Sequence, residues 1–342
     1  MKAVAFDRHG GPEVLEYLDL PDPEIAEDEA VVRIEAAALN RLDIFVREGW
    51  PGLRLAFPHI PGADGAGVVE AKGEAVTQAA IGERVVVDPS LTCGSCDYCR
   101  RGEEVLCGEY QILGEHVDGT YAELVKVPGE NLLPLPEGVP LETSAAAPTT
   151  FMTAWRLLVT RAAVQPGETV LVLGAGGGVA TAAIQIAKHV GARVFATSST
   201  EEKLERARKL GADEVINYTE EPFERVAWEL SGKRGVDIVV DSVGQATWKQ
   251  SLRALGKNGR LVTCGATTGP LAETDIRYIF WRQLRVLGST MANRAEFREV
   301  MMLIWEGKLE PVIDQVFPLA KAREAQERLA RGEQFGKILL RP

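Results

Sequence analysis

The chain has 342 residues, of which 46% are apolar and 25% charged, and its formal net charge is −11. This length predicts two domains, and the acidic balance argues against nucleic acid or anionic lipid as a main partner. No apolar run is long enough to span a bilayer and no secretory signal pattern opens the chain, so we expect a cytoplasmic protein.

The first part of the chain predicts a β-rich domain. Apolar runs at residues 30–39, 64–71, 83–88 and 121–127 are separated by Gly, Pro and Asp, as is typical of short strands joined by turns. The proline-rich stretch 128–148 that follows is interpreted as a connector.

A cysteine cluster lies inside this β-rich region. Residues 91–107 hold four of the chain's five cysteines: Cys93, Cys96, Cys99 and Cys107. Four thiolates at this spacing can enclose one tetrahedral Zn²⁺. Disulfides are rare in the expected compartment, and four free cysteines are the remaining alternative. A shell of four cysteines leaves no open position for substrate, so we predict one structural zinc per chain. We expect Arg100 and Arg101, inside the loop, to offset its negative charge.

After residue 168 the pattern changes. Apolar runs at 169–174, 192–198, 214–218, 235–244, 259–265 and 284–290 alternate with helix patterns such as 178–191 and 201–211. Strands that are apolar on both faces and alternate with helices indicate a parallel α/β sheet. A helix at about 294–307, a charged helix at about 320–331 and a final strand, KILLRP, complete the chain.

The turn GAGGG, residues 174–178, lies between the first strand and the first helix of this region. Such a turn lets backbone N–H groups approach a pyrophosphate at the helix N-terminus. It predicts dinucleotide binding; the alternative is a tight turn that binds no ligand. Ala180 replaces the last Gly of the usual fingerprint, and its small side chain should still allow close packing.

The stretch after the second strand favours NADP over NAD. Ser198, Ser199 and Thr200 provide no carboxylate to bind the ribose 2′-hydroxyl of NAD or to repel a 2′-phosphate, and Lys203 can reach that phosphate. The alternative is that this stretch serves as a helix N-cap followed by Glu in the first turn. The two interpretations are compatible.

A four-cysteine lobe in a β-rich region, followed by a nucleotide-binding region, resembles the zinc-containing medium-chain alcohol dehydrogenase and quinone reductase family. PHIPGADGAGVVEAKGEAV, ILGEHVDGTYAELVKVP and LGADEVINYTEE support a resemblance that covers essentially the whole chain. It implies an α/β fold with a GroES-like catalytic domain, residues 1–147 and 291–342. Residues 148–290 would form a Rossmann domain with a doubly wound parallel sheet. It also implies a cleft between the domains for nicotinamide and a small-molecule substrate, and a homodimer or homotetramer.

For the nucleotide we expect contacts from the Gly-rich turn, from the ends of the strands and from the helix after the second strand. The candidate residues are Gly174, Gly176, Gly177, Gly178, Val179, Ser198, Ser199, Lys203, Tyr218 and Gly265.

The chain departs from the family's alcohol dehydrogenases, in which the resemblance implies a second, catalytic zinc. Its three ligand positions hold Asn40, Ala63 and a residue near Thr149; Asn and Thr are poor zinc ligands and Ala is none. Asn40 and Asp43 match the N-x-x-D pattern of the family's zinc-free quinone and enoyl reductases, so we predict these two as catalytic. Phe45 stands where those enzymes often have Tyr, so no proton donor is obvious.

The leading hypothesis is an NADPH-dependent oxidoreductase that transfers hydride to a quinone or another conjugated carbonyl without a catalytic zinc. Conjugation spreads the developing negative charge, so ordinary hydrogen-bond donors can serve where an isolated carbonyl needs a Lewis acid. The alternative is an NAD(P)-dependent alcohol dehydrogenase with a rearranged metal site of His59, Asp43 and Asp64, although a lone His more often serves packing or a loop hydrogen bond. A third hypothesis is a non-enzymatic NADPH-binding or zinc-stabilised protein.

Overall fold

The computed structural model describes residues 1–342, the whole chain. Backbone contacts divide it into two compact units. Unit 1 comprises residues 1–149, 292–307 and 311–342, and unit 2 comprises residues 150–291 and 308–310. No helix combines the length and the apolar character needed to cross a membrane.

The helices and strands run as follows. The first region holds β1 (Lys2–Ala5), β2 (Glu16–Asp19), β3 (Glu29–Ala38), α1 (Arg41–Glu48), β4 (Asp64–Lys72), β5 (Arg84–Val87), β6 (Ser90–Leu91), α2 (Asp97–Arg100), β7 (Gln111–Ile112), β8 (Leu124–Pro128), β9 (Leu132–Pro134) and α3 (Leu141–Ala145). The middle region holds α4 (Pro148–Trp155), β10 (Thr169–Val172), α5 (Gly178–Val190), β11 (Arg193–Ser198), α6 (Glu201–Lys209), β12 (Glu214–Asn217), α7 (Phe223–Leu230), β13 (Val236–Asp241), α8 (Trp248–Ala254), β14 (Leu255–Thr263), α9 (Ile276–Arg282) and β15 (Arg285–Gly288). The last region holds α10 (Arg294–Trp305), β16 (Ile313–Pro318), α11 (Ala322–Ala330) and β17 (Lys337–Arg341).

Unit 1 is built on a sheet in the order β16-β17-β3-β4-β5-β9, with β8 also paired to β3. Ala38 of β3 is paired with Asp64 of β4 on one side and with Leu339 of β17 on the other. The Leu39 N–H donates to the Ile338 carbonyl at 2.9 Å, so the first residue of β17 lies next to the residues that follow β3. This register brings the ends of three strands together at one edge of the sheet.

The core of unit 1 forms because these strands bury their apolar side chains against α11. Val32, Ile34, Val69, Leu340 and Leu329 belong to this buried cluster, and burying each such side chain contributes about 1.5–3 kcal/mol. Where β3 bulges against β4, a β-carbon on Gly67 would lie 1.9 Å from the Arg33 carbonyl oxygen. Only glycine therefore fits at that point of the pairing.

Unit 2 is built on a six-stranded sheet in the order β12-β11-β10-β13-β14-β15. Every neighbouring pair is parallel, and the strands are joined by helices. From β10 the chain adds β11 and β12 on one side of the sheet, and then crosses over to add β13, β14 and β15 on the other side. This is the strand order of a Rossmann fold. The predicted α/β fold class, with a GroES-like region and a doubly wound sheet, is confirmed.

Residues 308–310 fall in unit 2, whereas the sequence places them in the catalytic domain. The Gln185 side-chain amide explains the difference, because it donates to the Glu310 carbonyl at 2.8 Å and accepts from the Glu310 N–H at 2.8 Å. The division into a catalytic and a cofactor domain by role stays a prediction.

Candidate functional site

The four clustered cysteines have the geometry of a zinc site. Their sulfur atoms all lie within 4.8 Å of one another, and no other group of Cys, His, Asp or Glu in the chain is gathered closely enough to hold a metal. The Sγ–Sγ distances are 3.9 Å for Cys93–Cys99, 3.5 Å for Cys96–Cys99 and 3.5 Å for Cys93–Cys107. Tetrahedral Zn–S bonds of about 2.3 Å require about 3.8 Å between sulfurs, so the cluster fits Zn²⁺.

Backbone N–H groups hold these sulfur atoms in place. The N–H of Cys96 donates to Cys93 Sγ at 3.4 Å, and that of Glu109 donates to Cys107 Sγ at 3.3 Å. Backbone hydrogen bonds from Ser95 and Cys96 lower the pKa of Cys93 to about 6. Burial, followed by neighbouring thiols, raises the pKa of Cys99 to about 12. A zinc ion would offset the negative charge that four thiolates place in this small space.

The expected role of Arg100 and Arg101 is wrong. Arg100 pairs with Asp97 at 2.7 Å and Arg101 with Glu103 at 2.9 Å, and all four side chains are exposed. Both cations are therefore paired with acidic side chains of the same loop. The charge of the sulfur atoms is met by backbone N–H groups instead.

The candidate nucleotide-binding residues lie at the carboxyl edge of the sheet of unit 2. Gly174 has φ +68° and open space where a side chain would stand, and α5 begins at Gly178, with Gly177 at its N-cap position and no side-chain cap. The backbone N–H groups at that helix start therefore suit a phosphate. A β-carbon on Gly265 would lie 3.1 Å from the Ser242 carbonyl oxygen, so the backbone is also close-packed there.

The second group of candidates follows β11 and β12. The Tyr218 N–H donates to the Ser198 carbonyl at 3.2 Å, so these two residues are neighbours. The predicted N-cap is confirmed, because the Thr200 hydroxyl accepts from the Lys203 N–H at 3.4 Å. Ser199 lies between Ser198 and Thr200. Gly176 lies in the Gly-rich turn, and Gly178 and Val179 are the first two residues of α5. These positions fit a dinucleotide, and their contacts with one stay predictions.

A buried polar network occupies the positions that correspond to the catalytic zinc ligands. Lys337 Nζ donates to Asn40 Oδ1 at 2.6 Å and to Asp64 Oδ2 at 3.0 Å. Asn40 Nδ2 donates to Asp64 Oδ2 at 2.9 Å. The Thr149 hydroxyl and N–H both donate to Asp64 Oδ1, at 2.6 and 2.9 Å. Ala63 is fully buried and provides no ligand atom.

Asp43 lies beside this network in the first turn of α1, whose N-cap residue is Asn40. Its carboxylate accepts from the Asn40 N–H at 2.8 Å and from the Tyr121 hydroxyl at 2.8 Å. Burial is the largest influence on this group and raises its pKa to about 7, although both hydrogen bonds and Lys337 act against it. Asn40 and Asp43 thus contact each other, and the catalytic role that the sequence assigns to them stays a prediction.

The alternative metal site of His59, Asp43 and Asp64 does not form. His59 Nε2 donates to the Gly114 carbonyl at 3.1 Å, and its Nδ1 lies 3.6 Å from Asp118 Oδ1. The ring is therefore committed to a loop, which is the other interpretation that the sequence offered. The two aspartates accept from Asn40, Lys337, Thr149 and Tyr121 instead.

Sequence reasoning missed Lys337 and Tyr121. Lys337 opens an otherwise apolar strand, KILL, and its side chain is only 3% exposed. A lysine is almost never fully buried without a partner, so its place in that strand is the signal that pointed to a buried anion. Tyr121 gives no comparable signal, because its hydroxyl meets Asp43 through non-local packing.

Known proteins match both regions of the chain. Residues 26–137 match the alcohol dehydrogenase GroES-like domain, and residues 178–306 match the zinc-binding dehydrogenase domain. An acryloyl-coenzyme A reductase of Sulfurisphaera tokodaii is 31% identical over 343 residues, with both chains fully covered. This chain belongs to the zinc-containing medium-chain dehydrogenase/reductase family. As a member of that family it is an NAD(P)-dependent oxidoreductase, which sets aside the non-enzymatic hypothesis.

Solved structures agree with this family assignment. One described as an NAD-dependent alcohol dehydrogenase is 47% identical, with a TM-score of 0.97 and both chains fully covered. A cobalt- and zinc-bound thermostable alcohol dehydrogenase from Pyrobaculum aerophilum is 36% identical, with a TM-score of 0.90. It is covered over 99% of its length and covers the whole of this chain. Relatives of this oxidoreductase thus bear two kinds of name, alcohol dehydrogenase and acryloyl-coenzyme A reductase.

We expect Cys96→Ser to remove one ligand of the structural zinc. Zinc content measured by atomic spectroscopy should fall from about one per chain to well below one, and the melting temperature should fall with it. The matched control is Cys264→Ser, since Cys264 is the one cysteine outside the cluster. Equal zinc content in wild type and Cys96→Ser would contradict the assignment.

Asp43→Asn should make folding stability less sensitive to pH. Because burial raises the pKa of Asp43 from its ordinary value near 4 to about 7, its contribution is complete below about pH 4 and is lost as the pH rises to 7. Between pH 5 and pH 8 we expect the variant to gain about 1–3 kcal/mol relative to wild type. Denaturant unfolding at both pH values measures this, and a constant difference would show that Asp43 is ionised throughout.

Proposed function

We propose that this oxidoreductase reduces conjugated carbonyl compounds, such as quinones, enones or enoyl thioesters, with NADPH and without a catalytic zinc. The observation that supports this most directly is the state of the three zinc-ligand positions. Asn40 Oδ1 accepts from Lys337, the Thr149 hydroxyl is bonded to Asp64, and Ala63 has no ligand atom. An amide, a hydroxyl and a methyl group, the first two engaged in hydrogen bonds, form a poor zinc shell.

The nature of these groups favours one class of substrate. An isolated carbonyl concentrates a full charge on one oxygen during hydride transfer, and without a Lewis acid several kcal/mol of stabilisation would be missing. A conjugated acceptor spreads the same charge over several atoms, so neutral donors suffice. The bound reduced nicotinamide would supply the hydride. The acryloyl-coenzyme A reductase among the relatives acts on an acyl group of this conjugated kind.

NADPH is proposed because Ser198, Ser199 and Thr200, at the end of β11 and directly after it, carry no carboxylate; the first acidic residues are Glu201 and Glu202 in α6. Ser198 ends that strand, Ser199 follows it, and Lys203 lies within the first turn of α6. Several relatives are described as NAD-dependent, so the preference has to be measured on this chain. We further propose a homodimer or homotetramer in the cytoplasm, as the family resemblance implies.

The substrate class is tested by NADPH oxidation with quinones, enones, enoyl thioesters and simple alkyl aldehydes, together with zinc stoichiometry. We expect turnover with the conjugated compounds, little with the aldehydes, and one zinc per chain. Turnover confined to alcohols and alkyl aldehydes, with two zinc ions per chain, would overturn the proposal and favour an alcohol dehydrogenase.

Lys203→Ala should weaken NADPH binding by about 10-fold and leave NADH binding nearly unchanged, because a charge-assisted contact to phosphate contributes about 1.5–3 kcal/mol. Fluorescence titration of both cofactors measures this. Lys209→Ala, at the end of the same helix, is the matched control. Equal loss for the two cofactors would rule out a contact between Lys203 and the 2′-phosphate.

A further inference from the structure

We propose that Lys337, Asp64 and Thr149 form a proton relay that delivers the proton completing the reduction, with the Thr149 hydroxyl at its outer end. This inference rests on the proposed function, since a conjugated carbonyl needs one proton after each hydride. It provides the proton donor that the sequence does not reveal, because Phe45 stands where a tyrosine is frequent in zinc-free relatives.

The two oxygens of one carboxylate join the three residues. Lys337 Nζ lies 3.0 Å from Asp64 Oδ2, and Thr149 Oγ1 lies 2.6 Å from Asp64 Oδ1. The second bond is short, as expected for a hydroxyl that donates to a carboxylate. A carboxylate held in this way can take a proton from Lys337 and pass it on to Thr149.

Burial sets the direction of the relay. The side chains of Lys337 and Asp64 are 3% and 0% exposed, whereas Thr149 is only partly buried. Thr149 is therefore the member of the three that a substrate can reach. Its backbone N–H also donates to Asp64 Oδ1 at 2.9 Å, so the main chain stays in place when the hydroxyl turns.

The surrounding charges favour a stored proton. The titratable groups around Lys337 are Asp64, Asp43 and Tyr121. The charges of Lys337 and Asp64 both shift the pKa of Asp43, and the charges of both aspartates raise the pKa of Tyr121. Two carboxylates thus share one ammonium in a buried space, and the cluster with every group ionised carries a net negative charge. Asn40 is neutral and fixes Lys337 relative to Asp64 through its amide. Such an arrangement gains a proton at a modest cost in free energy.

The proposed step balances as follows. Hydride enters at the β-carbon of the substrate and leaves an electron pair shared by the α-carbon and the carbonyl oxygen. The Thr149 O–H bond breaks and its proton goes to the α-carbon. Lys337 gives a proton to Asp64 Oδ2, and the neutral carboxyl group turns about its Cβ–Cγ bond so that this O–H passes its proton to the Thr149 oxygen and Asp64 is again a carboxylate. Lys337 is left neutral and regains a proton from solvent, so Asp64 and Lys337 act as positioning and supply residues behind Thr149.

The first experiment uses Thr149→Val, which keeps the side-chain shape and the backbone bond, and Thr149→Ser, which restores a hydroxyl. The substrate is 2-methylcyclohex-2-enone, whose α-carbon becomes a stereocentre on protonation. We expect wild type and Thr149→Ser to give one predominant enantiomer. Thr149→Val should lose that enantiomeric excess, and its kcat should fall at least about 10-fold with little change in KM.

The second experiment reads the relay without turnover. The carboxyl ¹³C shift of Asp64 is titrated with pH in the cofactor-free protein, and its midpoint should rise in Thr149→Val by about half a pH unit or more, since a donor to the ionised form is lost. For Lys337, Lys337→Arg should fold and keep the ion pair. Because guanidinium does not release its proton, the variant should lose the enantiomeric excess.

These measurements separate the relay from the proposed function. If wild type reduces the enone while Thr149→Val and Lys337→Arg keep its rate and enantiomeric excess, the relay is wrong and the function stands. If wild type reduces no conjugated carbonyl, the function is wrong, and the Asp64 titration then decides the relay. Identical Asp64 midpoints in wild type and Thr149→Val would overturn it.

Discussion

The buried ion pair between Lys337 and Asp64 is the interaction on which the candidate site depends. It joins the first residue of β17 to the first residue of β4, and Asn40, two residues after the intervening β3, bonds to both partners. Desolvating two charges costs several kcal/mol, which only good geometry and further hydrogen bonds repay. Asp64 meets that condition, because Thr149 donates to it twice and its own carbonyl accepts from the Thr120 hydroxyl. Removing one partner would leave an uncompensated buried charge, at a cost of about 3–5 kcal/mol.

The zinc lobe is attached to the same network through the chain that follows it. After Cys107 the chain forms β7, and the Leu113 N–H donates to the Pro89 carbonyl at 3.0 Å. It then reaches Thr120, whose N–H donates to the Gly62 carbonyl and whose hydroxyl donates to the Asp64 carbonyl, both at 2.9 Å. The next residue, Tyr121, bonds to Asp43. A closed zinc shell cannot take part in chemistry directly, but by ordering this segment it supports the backbone on which both aspartates are held.

How well each feature could be predicted depends on how far apart its residues lie in the sequence. Four cysteines within one loop, a glycine-rich turn between a strand and a helix, and the Thr200 cap are local patterns, and the structure arranges them as expected. Lys337 lies 297 residues from Asn40 and 273 from Asp64, so their meeting depends on β17 pairing with β3 in one particular register, which no local pattern specifies. The prediction for Arg100 and Arg101 was wrong because it considered only the sulfur atoms. Asp97 and Glu103, in the same loop, pair with these two cations.

The N-x-x-D pattern acquires a physical meaning from this arrangement. Asp43 Oδ2 accepts from the Asn40 N–H, and Asn40 accepts in turn from the Asp43 N–H through its side chain, so the pair forms a capping box at the start of α1. That box fixes the Asn40 amide between Lys337 and Asp64. The buried Asp43 carboxylate also faces the same ammonium, and burial raises its pKa to about 7. Asp43 therefore serves the site through position and charge, and the group closest to a reacting molecule is the half-buried hydroxyl of Thr149.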